Sequence, residues 1–81
     1  MAKIRIYTTS SCSDCRAAKR FLREQSISYE EINIEDVDGA AEIVIQANQG
    51  RRSVPTFEID GQYISCSPFD RRKIAVALGL S

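Results

Sequence analysis

The chain opens on a short alternation. Ile4, Ile6 and Thr8 take one side, and Arg5 and Tyr7 the other, which is the period-2 pattern of a strand. From Ser13 the period changes. Ala18, Phe21 and Leu22 recur at helical spacing, while Arg16, Lys19, Arg20 and Arg23 take other faces. Between the two patterns, Thr9 to Ser11 form a polar loop that ends at Cys12. Ser28 to Ile34 return to near-alternation and predict a second strand. Glu35-Asp36-Val37-Asp38-Gly39 reads as an acidic turn able to cap a second helix. That helix is expected from Gly39 or Ala40 to Asn48, stopping at Gly50. Arg51-Arg52-Ser53 is a loop. Pro55 to Ile59 reads as a strand, Asp60-Gly61 as a two-residue hairpin turn, and Gln62 to Cys66 as the return strand. Ser67-Pro68 predicts the opening of a last helix with proline in its tolerated first turn. Ile74, Ala75, Leu78 and Phe69 supply its inner face.

The order is therefore β-α-β-α-β-β-α. The first β-α-β needs a right-handed crossover between parallel strands, whereas the closing hairpin must be antiparallel. The expected architecture is a single α/β domain over residues 1–81, a four-stranded mixed sheet flanked by three helices. At 81 residues and 43% apolar content the core is sufficient but small. No repeat, linker or low-complexity stretch interrupts it.

Charge and cysteine usage narrow the function. Eleven basic and eleven acidic residues cancel, which argues against nucleic-acid binding through clustered positive charge. Histidine is absent, so the commonest metal ligand and the usual general base near neutral pH are missing. Three cysteines are an odd number, unlike the even set of a secreted disulfide scaffold. Met1-Ala2-Lys3 runs straight into the first strand without an apolar signal segment. No stretch approaches the roughly 20 apolar residues of a membrane span. The expectation is a cytoplasmic monomer with no membrane or nucleic-acid partner. In that compartment thiols are kept reduced, and a paired C-x-x-C is catalytic or metal-bound.

Cys12-Ser13-Asp14-Cys15 is that pair. It lies at a strand-to-helix junction, the setting of a redox dithiol. On a helix, positions i and i+3 share a face, so the two sulfurs can meet. A zinc or iron–sulfur site would need about two further ligands, and only Cys66 remains; the expectation is no metal. Thiolate is the nucleophile, and a free cysteine ionises at about 8.5. Cys12 is expected at or just before the first helical turn, where unpaired N–H groups and the helix dipole favour negative charge. Arg16 and Lys19 add positive charge. Cys15, one turn inside, is expected to be more buried and to keep its proton longer. Cys12 thus attacks a target disulfide, and Cys15 resolves the mixed disulfide. Asp14 opposes a neighbouring thiolate. Cys66 reads either as a third redox thiol or as a small apolar packing residue, with packing favoured.

The dithiol after Ile4-Arg5-Ile6-Tyr7-Thr8, the later Ser53-Val54-Pro55, and Phe57-Glu58-Ile59-Asp60-Gly61 leading into the hairpin together resemble the glutaredoxin family. The resemblance covers essentially the whole chain. It implies a thioredoxin fold, dithiol–disulfide exchange on protein disulfides, and no bound cofactor. It also implies a cis Pro55 beside the dithiol, with Val54 offering its backbone to the substrate as an added strand would. Ser13, Asp14, Val54, Pro55 and Arg52 are the expected substrate contacts; Arg51 or Arg52 can meet a carboxylate, although exposed loop arginines are more often just solvated. Several positions depart from the glutathione-using members. Ser13-Asp14 replaces their Pro-Tyr, and Thr9 stands where they often carry lysine. Ile64-Ser65-Cys66-Ser67-Pro68-Phe69-Asp70 replaces their Gly-Gly stretch, so close backbone approach by glutathione loses its glycines. Partial similarity to the glutaredoxin-like donors of ribonucleotide reductase leaves two electron sources, glutathione or thioredoxin reductase. Two other functions compete with reduction: a glutathione-linked [2Fe–2S] cluster carrier and a redox-sensing interaction module.

Overall fold

The computed structural model describes residues 3–80. Four strands form one sheet in the order β2-β1-β3-β4: β1 (Ile4–Thr8), β2 (Glu30–Asn33), β3 (Thr56–Ile59) and β4 (Gln62–Ser65). β1 pairs parallel with β2, joined through helix α1 (Ser13–Glu24), and antiparallel with β3; β3 and β4 form the antiparallel hairpin. Helices α2 (Ala40–Ala47) and α3 (Arg71–Ala77) complete the expected order. This is the thioredoxin fold.

Strand alternation divides the core between the two faces of the sheet. Ile4 and Ile6 of β1 and Phe57 and Ile59 of β3 pack with Ala18, Phe21 and Leu22 of α1 and Ile74 of α3. Tyr7, pointing the other way, packs with Ile34, Ala40 and Val44 beneath α2. The helical stripe of α1 therefore does what its spacing predicts. The Asp60-Gly61 turn has positive φ at both residues, 52° and 84°, as a type I′ hairpin requires.

Several boundaries differ from the sequence reading. Pro68 does not open the last helix. Asp70 is its N-cap, and its carboxylate accepts from the N–H groups of Arg72 (3.0 Å) and Lys73 (3.3 Å). That Asp cap satisfies two orphan donors, whereas Pro68 satisfies none. The acidic turn before α2 supplies no side-chain cap; Gly39, in the left-handed region at φ 82°, occupies the N-cap position. The second strand is also shorter than expected, beginning at Glu30 rather than Ser28. α2 ends as a Schellman motif, with Gly50 N–H donating to the Ile45 carbonyl (2.8 Å), but Gln49 rather than Gly50 takes the first left-handed position. No helix among the described residues is long and apolar enough to cross a membrane.

Candidate active site

The β1-to-α1 junction places the dithiol. Cys12 is the N-cap of α1, with extended backbone, and its sulfur accepts the Cys15 N–H at 3.0 Å. A cap normally uses an oxygen for this bond; here the sulfur takes that place, and so faces the partial positive charge of the helix N-terminus. Cys12 is half-buried, whereas Cys15 is only 1% exposed. Both are reduced thiols in this structure. Burial pushes the Cys15 thiol up to about 12; its hydrogen bond with the Cys12 sulfur adds to the rise, and a backbone hydrogen bond from Thr9, Cys12 charge and Lys19 act more weakly, the first and last opposing it. The influence of Cys12 has a chemical consequence. A Cys12 sulfur bound in a mixed disulfide carries no charge, so the coulombic part of the rise at Cys15 is absent there.

Opposite the dithiol stands the loop before β3. The Val54–Pro55 peptide is cis, as the resemblance implies, and Pro55 is buried. The Cys12 sulfur lies 3.9 Å from the Val54 carbonyl oxygen. This loop is pinned from three directions. Thr56 donates from its hydroxyl to the Ser53 carbonyl (2.7 Å), Asn48 donates to the Thr56 hydroxyl (3.0 Å), and the Ser53 and Ser65 hydroxyls share a bond of 2.9 Å. Cys66 N–H donates to the Pro55 carbonyl (3.1 Å), extending the β3–β4 ladder past the proline. Asn48, Thr56 and Ser65 carry no role in the sequence reading, and Ser53 enters it only as part of Ser53-Val54-Pro55. The available signal was a cluster of small polar residues on both sides of Val54-Pro55.

The remaining site residues separate. Ser13 is exposed at the first helical position, and Asp14 is half-buried and forms no ion pair among the described residues. Arg52 is exposed in the loop before Val54 and pairs with no carboxylate among the described residues. Lys19 is tied to Glu31 (2.9 Å), which also accepts from the buried Thr8 hydroxyl (2.9 Å). The Lys19 bond holds the Glu31 carboxyl below its usual range, against a smaller effect of burial. Cys66 is 1% exposed and packs in the core beneath α1 and α3; its sulfur accepts the Asp70 N–H at 3.2 Å. That environment is the packing one. No group of three or more His, Cys, Asp or Glu side chains able to hold a metal ion occurs among the described residues.

Known proteins are similar to this chain in sequence and fold. The glutaredoxin family model matches residues 4–64. A Mycobacterium tuberculosis protein assigned to the glutaredoxins is 40% identical over 73 residues, spanning 89% of this chain and 87% of its own. Among solved structures, a variant of the thioredoxin-like protein BC3987 superposes with a TM-score of 0.83 at 27% identity over the full length of both chains. NrdH-redoxin from Escherichia coli gives 0.75 at 31% identity, covering 91% of this chain and 92% of its own. By family match, fold and dithiol setting, this chain belongs to the glutaredoxin family of thiol–disulfide oxidoreductases.

Proposed function

We propose that this protein reduces protein disulfides by dithiol exchange and is recharged by a thioredoxin-type reductase rather than by glutathione. One observation carries the first half: a half-buried Cys12 sulfur on a helix N-terminus with a nearly inaccessible Cys15 one turn behind it. The Cys12 thiolate attacks one sulfur of the target disulfide. A new S–S bond forms, and the other target sulfur leaves as a thiolate that takes up a proton. Cys15 then gives up its proton and attacks the Cys12 sulfur. The second target thiol departs, and the protein holds a Cys12–Cys15 disulfide. The target chain lies along the Val54 backbone as an added strand, with Ser13, Asp14 and Arg52 around the disulfide. This chemistry operates in the cytoplasm, where the surroundings keep thiols reduced.

Two facts support the choice of electron donor. Where glutathione users carry glycines after the fourth strand, this chain has side chains, and Ser65 is bonded across to Ser53 beside Pro55. The E. coli NrdH-redoxin is described as having a thioredoxin-like activity profile. The test compares NADPH oxidation with a cystine peptide as substrate in two coupled systems, thioredoxin reductase alone and glutathione with glutathione reductase. Turnover in the first is expected. Turnover in the second alone would overturn the donor assignment, and turnover in neither would overturn the reductase reading.

A further inference from the structure

Helix α1 carries Arg16, Lys19, Arg20 and Arg23 within eight residues. Spaced i, i+3, i+4 and i+7, they share one face of the helix. Arg16, Arg20 and Arg23 are exposed, and among the described residues none of them forms an ion pair; only Lys19 does, with Glu31. Such like-charged neighbours destabilise a helix. Arg16 also sits close to the positive end of the helix dipole. A face with no role would more cheaply alternate its signs. The acids are also unevenly placed along the chain, although Glu31 of β2 pairs with Lys19 of the stripe. From Glu24 to Gly50 the chain has seven acidic residues and no lysine or arginine. Four of these, Glu35, Asp36, Asp38 and Glu42, lie in or just before α2, which packs on the opposite face of the sheet from α1. Zero net charge thus conceals a basic stripe on α1 and an acidic run leading into α2. The stripe begins one residue beyond Cys15 and runs along α1 for about 10 Å.

We infer that this stripe is a docking track for an acidic segment of the partner protein, flanking the disulfide that Cys12 attacks. The inference rests on the disulfide-reductase reading and adds the chemistry of its partner. Guanidinium groups recognise carboxylates by paired hydrogen bonds, and an exposed charged rim acts on encounter and on discrimination between partners. A nucleic acid fits less well. Only three cations without an ion pair among the described residues line the helix, and the track starts at a dithiol, whereas binding to a nucleic-acid backbone rests on many phosphate contacts. The acids of α1 do not interrupt the track: Glu24 is paired with Arg71 at 3.1 Å, and Asp14 falls on another face.

The experiment uses three cystine peptides with one shared disulfide core and tails of Glu, Gln or Lys on both sides, reduced by the full-length protein. At low ionic strength kcat/KM for the Glu peptide should exceed that for the Lys peptide by about tenfold, or ~1.4 kcal/mol over three exposed charge pairs. High salt should erase the difference. The combined Arg16→Gln, Arg20→Gln, Arg23→Gln variant should lose the preference, read as the ratio of the Glu to the Lys peptide so that any change in the basal rate cancels. Equal reduction of all three peptides by the wild type, or a preference that survives in the variant, overturns the track and leaves the reductase reading intact. Reduction of none of them overturns the reductase reading and the track with it. Stronger competition by a short DNA duplex than by a charge-matched Glu peptide overturns the track in favour of nucleic acid.

Discussion

Replacing Cys66 with alanine separates a packing role for this thiol from a redox one. Cys66 is 1% exposed, packs with Phe21, Leu22, Phe57 and Ile74, and accepts the Asp70 N–H through its sulfur at 3.2 Å. Alanine removes one heavy atom from this site. The lost transfer free energy is close to that of a buried methylene, about 0.8 kcal/mol, and a residual cavity adds to it because neighbours relax only in part. The Asp70 N–H loses its partner at a further cost of about 0.5–1 kcal/mol, held low because Asp70 is exposed and water can replace the sulfur. The expected destabilisation is about 2 kcal/mol, which for a domain of this size lowers Tm by roughly 8–16 °C. The assay is urea and thermal unfolding of the reduced protein, alongside disulfide reduction measured well below the transition. Lower stability with an unchanged reduction rate is expected. Unchanged stability with a loss of rate would refute the reasoning and make Cys66 a working thiol.

Two further outcomes follow from the same geometry. The folded state holds the Cys15 proton more tightly than the unfolded chain does. Its contribution to stability is therefore complete below the ordinary thiol value near 9 and is lost as pH rises from there toward 12. Urea midpoints of the reduced wild type should fall more steeply across this alkaline window than those of Cys15→Ala; parallel curves would contradict the burial argument. Tyr7, also raised by burial, acts with the same sign in both proteins and cancels. Asp70→Ala removes the two N-cap bonds of α3 and should cost about 1 kcal/mol in urea unfolding, with Asp70→Asn recovering most of it; equal losses for both substitutions would show that the cap is not the cause.

Much of this molecule was legible because local and global signals agree. The alternation of Ile4 and Ile6 against Tyr7 assigns each face of β1 to its own helix layer, and the apolar spacing in α1 matches the face it buries. Asp60-Gly61 could be read because few residues tolerate positive φ at two successive positions. The start of α3 misled, because a proline preceding a helical pattern looks like a first-turn residue until the Asp70 carboxylate is seen bonding two amides. The Gln49 left-handed helix end carries no signal of its own, since glutamine is not a residue that marks this conformation. At the site, the C-x-x-C spacing at a strand-to-helix junction pointed to Cys12 and Cys15, and the structure places both at the start of α1. The Asn48–Thr56–Ser53–Ser65 chain that pins Val54-Pro55 was hidden, because it joins the end of α2, the loop before β3 and the end of β4, which only the tertiary fold brings together.

The central claim is a division of labour between Cys12 and Cys15. Its most direct measurement is mass spectrometry of adducts formed when single-cysteine variants meet a cystine peptide. In Cys15→Ser, the account predicts a stable mixed disulfide between the peptide and Cys12, because the attacking sulfur remains at the helix N-terminus and the resolving one is gone. In Cys12→Ser, the nearly inaccessible Cys15 should form no such adduct. An adduct on Cys15 in Cys12→Ser, together with none on Cys12 in Cys15→Ser, would contradict the account.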